Sequence, residues 1–296
     1  MPLVKYLKSR PFPGSKGASM HEVILTFTRS IKHIRLTERA AAISFNFIMA
    51  IPPTFIFLFS LIAYLPLATV ETTLLNTIAL LSPNPKLYNS VAGVLVDLMK
   101  NKRSELISIG FLSTLFLSSN GVMGILRSFD RESPILRKRS GIARRKKALT
   151  MTMGLMVVLL VAIALLILQS NILDNYVTKL IGSAVLVKII SWVSLIGIVY
   201  TTICILYKYG PSLHYKTRFF SAGARLATVL FVIVSHSFFY IANHFINYNK
   251  VYGSIGTLLM FMIWVYITSL VILIGYEINV AIILKNQKEA IPKNTI

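Results

Sequence analysis

Apolar residues run along this chain in stretches too long for a soluble core and too many for a single anchor. The first extends from Ala40 to Leu65, and others follow at about 106–126, 148–168, 187–207, 219–241 and 255–284. A hydrocarbon core of about 30 Å is crossed by about 20 helical residues, so each stretch predicts one span. The expected fold is all-α: a polytopic membrane protein with six transmembrane helices. The last stretch exceeds what a crossing needs, which predicts tilt or an extension beyond the membrane. Residues 66–104 read differently. Leu74, Leu75 and Ile78 precede a Ser-Pro-Asn-Pro break at 82–85, and Leu87, Val91, Val94, Leu95 and Leu98 follow it at helical spacing. That pattern predicts two short amphipathic helices in the first outer loop. Pro52 and Pro53 interrupt the first span. They remove two backbone donors and predict a kink there.

Composition agrees with lipid as the solvent. The chain is 55% hydrophobic with mean hydropathy +0.70, and 14% of its residues are charged, against about 25% in a soluble domain. The net charge of +21 would suggest nucleic acid in a soluble protein. Here its placement decides otherwise. Residues 1–39, the loop 127–147, the loop 208–218 and the tail after 284 hold twenty-three Lys and Arg. The opposite side of a six-span arrangement holds seven. By the positive-inside rule both termini lie in the cytoplasm, which needs an even number of spans. The chain divides into a basic cytoplasmic segment 1–39, a membrane domain 40–284 and a cytoplasmic tail 285–296. The first 20 residues carry no signal-peptide pattern. The lone Cys204 lies in an apolar run, which excludes an intramolecular disulfide and reads as a small buried residue.

Polar groups inside a span are costly, so they are candidate site residues. On the fifth span Ser221, Arg225, Thr228, His236, Tyr240, Asn243 and Asn247 form a polar stripe expected to face the bundle or a wet cavity. Arg225 near the cytoplasmic end also suits snorkelling to headgroups. His236 suits either a proton relay or a hydrogen-bonded core position. On the first span Glu38, Ala42, Asn46 and Pro53 share a face; Glu38 reads as interfacial, whereas Asn46 is deeper and needs a partner. On the second, Ser113, Asn120 and Arg127 recur beside Gly121 and Gly124, whose small size predicts close helix packing. On the sixth, Thr257, Trp264, Thr268, Gly275 and Asn279 share a face. Glu277 is the most buried-looking acid, and a pairing with Arg225 is expected. The candidate path or polar network is therefore Asn46, Asn120, Arg225, His236, Tyr240, Asn243, Glu277 and Asn279.

Several of these segments resemble the YihY/BrkB family. They are Ala40-Ala41-Ala42-Ile43-Ser44-Phe45 through Pro53, Tyr207-Lys208-Tyr209-Gly210-Pro211, Gly223-Ala224, Tyr248-Asn249-Lys250-Val251-Tyr252-Gly253-Ser254-Ile255-Gly256, Trp264-Val265-Tyr266 and Gly275-Tyr276-Glu277-Ile278-Asn279. The similarity runs from about residue 25 to 284, departing at Pro52-Pro53, where the family pattern has one proline. The resemblance implies a six-span inner-membrane protein of a family linked to virulence or serum resistance, to envelope lipid transport and to cation/proton exchange. It also implies an old label of ribonuclease BN.

Residues test those classes. A transporter or flippase of envelope lipid or another amphipathic solute suits the broken first span, the polar stripe and the basic cytoplasmic face, which predicts anionic lipid headgroups as partners. A cation/proton exchanger needs a titratable acid near mid-membrane, but Glu38 and Glu277 lie near span ends, leaving His236 as the only deep group of that kind. A metal-dependent nuclease wants clustered acids or histidines. His21, His33, His214, His236 and His244 show no ligand spacing, and no nucleophile elbow or P-loop is present. The basic loop 137–147 lacks aromatics for stacking on bases. The expectation is no enzyme, no metal, no cofactor and no nucleic-acid partner. A non-transporting scaffold and a homo-oligomer both remain compatible with the sequence.

Overall fold

The computed structural model describes residues 19–31, 35–62, 104–130, 139–168, 184–212, 218–244 and 246–290, with isolated positions between 75 and 97. It is all-helical over that range. The helices are α1 (Met20–Ile31), α2 (Leu36–Ile62), α3 (Ser104–Phe129), α4 (Gly141–Leu168), α5 (Ala184–Tyr209), α6 (Ala222–His244) and α7 (Ile246–Ala290). Five of them, α3 to α7, contain segments long and apolar enough to cross a membrane. The remaining long helix, α2, has 27 residues, covers most of the predicted first span and runs through Pro52 and Pro53. Beside the prolines, Thr54 Oγ1 donates to Ala50 O at 2.6 Å and Thr114 Oγ1 of α3 donates to Pro53 O at 2.6 Å. The expected amphipathic helices of 66–104 fall outside the described residues, apart from a few isolated helical positions.

Boundaries moved where caps and helix formers act. The helix α4 begins at Gly141, not 148, because Ser140 Oγ accepts from Ala143 N–H and Arg and Lys are good helix formers. In α6 the start is three residues later than expected, because Ser221 caps it through Ala224 N–H. The last helix is 45 residues long and carries the chain through Lys285 into the predicted tail. The segment 1–39 holds a helix of its own. A reciprocal capping box starts α1, with Ser19 Oγ accepting from Glu22 N–H and Glu22 accepting from Ser19 N–H.

Each long helix packs on its neighbour in sequence, and α7 closes the set against α2, so the six form a ring. The helix α1 rides on α7, where Phe27 meets Ala222, Ile278, Ala281 and Ile282. Burial is uneven along the ring. The core is built from the ends that meet at residues 130, 139 and 212: Leu126, Phe129, Ala148, Met151, Ile203, Tyr207, Ala224, Ala227, Leu273 and Tyr276. Toward the other end, the described residues 157–165 of α4, 189–202 of α5, 229–241 of α6 and 258–263 of α7 include no buried position. Over these residues α4 to α7 are consequently closely packed at their basic ends and splayed toward the opposite one, whereas α2 and α3 stay packed there through Phe57 and Thr114.

The tightest seam is α6 on α7. A Cβ on Gly223 would collide with Gly275 O, and one on Gly275 would stand 2.5 Å from the Tyr207 hydroxyl and 2.6 Å from Ala227 Cβ. In lipid, where apolar helix faces gain little by leaving their solvent, such small-residue contact is a main source of association. Gly154 has nothing within 4 Å of an added Cβ. Gly275→Ala is expected to cost about 2–3 kcal/mol by overpacking, while Gly154→Ala is neutral or stabilises by up to about 1 kcal/mol. Thermal unfolding of both variants in detergent checks the contrast.

Candidate functional site

The basic end is knotted by three aromatic side chains. Phe129 ends α3 and stacks on Tyr276 of α7 at 4.0 Å between centroids, while Tyr207 of α5 meets Phe129 edge-on at 5.9 Å. Both tyrosines are buried, and buried phenols need partners. Tyr207 donates to Ile272 O at 2.6 Å and Tyr276 to Phe129 O at 3.2 Å. The ends of α3 and α5 are thereby joined to α7 at one level.

Immediately beyond lies a charge cluster on Asp130, whose side chain is 2% exposed. Its Oδ1 accepts from Ser212 N–H at 2.9 Å and from the Ser212 hydroxyl at 2.8 Å. Its Oδ2 lies 3.5 Å from Arg144 Nε and 3.7 Å from Arg139 Nη1. Arg139 also donates to Gly210 O at 2.7 Å and Pro211 O at 3.1 Å. The Gly210-Pro211 turn needs its glycine, since a Cβ there would strike Leu206 O and crowd the Phe129 ring at 3.2 Å. As a sequence, 127–147 reads as a basic loop in which Asp130 does not stand out. The available signal was a single acid directly after an apolar helix, just before a run of basic residues.

Among the expected site residues, several come together and others do not. Asn46 lies against Gly121 and Gly124 of α3, as their small size predicts, with its amide donating to Ala42 O at 2.7 Å. Asn120 accepts from Arg145 Nη1 at 2.7 Å, and the Arg145 guanidinium sits 4.5 Å over the Phe116 ring. Asn279 joins α7 to the start of α6: its Oδ1 accepts from Gly223 N–H at 2.8 Å and its amide donates to Ser221 Oγ at 2.9 Å. Trp264 donates to Ser235 Oγ at 3.2 Å and, with Gly275 and Asn279, holds the α7 face against α6. Glu277 is buried at 1% exposure, as read from the sequence. Glu38 is exposed and pairs with Arg35 at 3.3 Å, as an interfacial residue should.

The α6 stripe is corrected. Ser221 and Thr228 belong to the face packed on α7, where Thr228 is buried and bonds Ala224 O. Arg225, His236 and Tyr240 share a second, exposed face with Val229 and Ile233. The close contact at Gly223, Ala224 and Ala227 admits only small side chains, so the large polar ones turn to the open side. The Asn243 and Asn247 side chains lie outside the described residues.

One further contact fastens α1. Lys285 Nζ of α7 donates to Glu22 Oε1 at 2.8 Å. That bond, helped by the Ser19 N–H, holds the Glu22 carboxyl below its usual 4.5. Among the described residues no three His, Cys, Asp or Glu side chains group as metal ligands would.

A ring of long apolar helices with its polar contacts gathered at one end defines a polytopic α-helical membrane protein. The chain belongs to the virulence factor BrkB family, whose model matches residues 27–295. It is 29% identical over 255 residues to the ribonuclease-like protein YfkH of Bacillus subtilis, covering 85% of this chain and 91% of that one. It is 26% identical over 257 residues to a UPF0761 membrane protein of Tolumonas auensis, covering 85% and 82%. No solved structure matches.

Two predictions come from this end of the molecule. Asp130→Asn leaves Arg139 and Arg144 without their shared carboxylate and is expected to cost about 2–3 kcal/mol, given the partial exposure of both arginines. A double-mutant cycle with Arg144→Gln should be strongly non-additive in thermal unfolding. The second concerns pH. Because the folded Glu22 pKa is lowered, the contribution of this contact is complete above 4.5 and is lost as pH falls through the lower folded value. Exposure of 44% at Glu22 limits it to less than about 1 kcal/mol. Limited proteolysis at the α1 junction should therefore accelerate at acid pH in the wild type, and Glu22→Gln should remove that dependence.

Proposed function

We propose that this protein is a six-span inner-membrane translocator with both termini in the cytoplasm, moving an envelope lipid or another amphipathic solute between its helices. The observation that carries this reading is the uneven core. The basic, cytoplasmic ends are locked by Phe129, Tyr207, Tyr276 and Asp130, while residues 157–165, 189–202, 229–241 and 258–263, among those described, include no buried position. A bundle closed inside and open outside matches one end state of an alternating-access cycle. It offers headgroups a route beside Arg225, His236 and Tyr240 while tails stay in lipid. The α2 helix supplies the sixth span, and the Lys and Arg asymmetry sets the orientation.

The hydrolase named for the Bacillus relative is not carried over to this chain. Glu22 is committed to Lys285, Glu38 to Arg35, and Asp130 to Ser212 and two arginines. These acids hold structure and do not converge on a reacting centre.

The test is reconstitution into liposomes, with dithionite bleaching of fluorescent lipid and cation flux followed in parallel. Lipid exchange several-fold above protein-free vesicles is expected, without added cation flux. Cation exchange without lipid movement would replace this reading with an exchanger, and neither activity would leave a scaffold.

A further inference from the structure

Among the described residues, no carboxylate pairs with Arg145. Asp130 serves Arg139 and Arg144, at the end of α3. Arg145 takes the opposite direction. Its Nη1 reaches Asn120, nine residues before the last residue of α3, or about 14 Å along that helix. Its guanidinium lies over Phe116, one turn farther still. Both contacts are neutral. Its Nη2 is buried and has no hydrogen-bond partner among the described residues. Snorkelling does not explain this, because a snorkelling arginine extends toward its nearer headgroup layer. A half-buried guanidinium with one buried donor unbonded is costly in an apolar surround, and its fork of donors fits oxyanions.

The surface beside it is apolar and open. Ile109, Leu112 and Phe116 recur at i, i+3 and i+7 on α3, with 62%, 63% and 59% exposure. That stripe runs along the helix from the guanidinium toward the splayed end. Charge and stripe together have the form of an amphipathic anion: an oxyanion at one point and a hydrocarbon track leading from it.

The geometry points to Arg145 as the binding group for a phosphate ester, with Asn120 and Phe116 orienting the guanidinium and Ile109, Leu112 and Phe116 contacting the acyl chain. This inference rests on the translocator reading for its place in function, since it names the headgroup class carried, but it is tested by binding alone.

The full chain in detergent is titrated with phosphatidylglycerol and with phosphatidylcholine of matched acyl chains, and retained lipid is counted by native mass spectrometry. The wild type is expected to hold phosphatidylglycerol at least tenfold more tightly. Arg145→Gln should abolish the preference, and Arg145→Lys, which keeps the charge and loses the fork, should reduce it at least threefold. Arg127→Gln, at an exposed basic position of α3, should leave it intact. Asn120→Ala frees Nη1 and should preserve or strengthen it. No preference in the wild type, or an unchanged preference in Arg145→Gln, overturns the site. If that variant does not fold, an unchanged preference in Arg145→Lys overturns it. Displacement of lipid by millimolar inorganic phosphate assigns the site to the free anion, and resistance to displacement assigns it to the headgroup. Binding without lipid exchange in liposomes would sink the translocator reading and keep the site. Lipid exchange with an indifferent Arg145 would do the reverse.

Discussion

The backbone contact between Gly223 and Gly275 governs much of the rest. It lets α6 and α7 approach until the Tyr207 hydroxyl passes Gly275 and reaches Ile272 O. With α7 at that depth, Tyr276 falls on Phe129, and Asn279 reaches both Gly223 N–H and Ser221. The association of helices in lipid draws little from the hydrophobic effect. Close packing and satisfied polar groups have to do most of the work, and here both are concentrated in one layer. The two glycines stand at the centre of that layer.

The charge cluster extends the same layer outward. Asp130 is expensive to bury, and two arginines and the Ser212 donors compensate it. The contacts cross from the end of α3 to the Gly210-Pro211 turn that ends α5 and to the start of α4. Short links between helices are thus tied by charge where apolar packing stops. Further cations stand over aromatic rings, with Lys208 near Tyr209 and Phe219 and Lys147 near Tyr209. The excess positive charge read from the sequence is partly structural, and not all of it is left to attract headgroups.

Helices and seams were legible because each has a local signature. Apolar runs mark the long helices, and Gly121 and Gly124 announce the α2–α3 contact that Asn46 fills. Asn279 and Glu277 are both buried, and a polar group on an apolar helix stands out against its neighbours. The orientation of α6 was not legible. Its polar residues fall at helical spacing, but which face packs is set by the small residues Gly223, Ala224 and Ala227, and those carry little weight in a reading based on polarity. Asp130 was missed for the opposite reason: a lone acid among basic residues looks solvated, and only the turn at Ser212, 82 residues away, buries it. The helix α1 was legible in principle through its Ser19-x-x-Glu22 box, but a basic terminal segment does not invite that search.

The proposed transport cycle is constrained by where these interactions lie. Closing the splayed end requires some of the basic end to open, because the same rigid helices form both. Opening would break the two tyrosine bonds at about 0.5–1.5 kcal/mol each. It would also strain the two Ser212 bonds to the Asp130 carboxylate, which are charge-assisted and worth about 1.5–3 kcal/mol each when lost singly. The sum is several kcal/mol, so the described state would dominate without ligand. A cargo can shift that balance only by binding the alternate state more tightly by a comparable amount. Arg145 supplies such a difference only if the alternate state holds the anion more closely, since an anion bound in the described geometry stabilises the described state. Arg145 belongs to α4, next in sequence to Arg144 in the charge lock, and its free donor would gain its full value only when an anion sits between the open cleft and the closed end. In the proposed reading, an anion on that guanidinium offsets the cost of its unbonded donor.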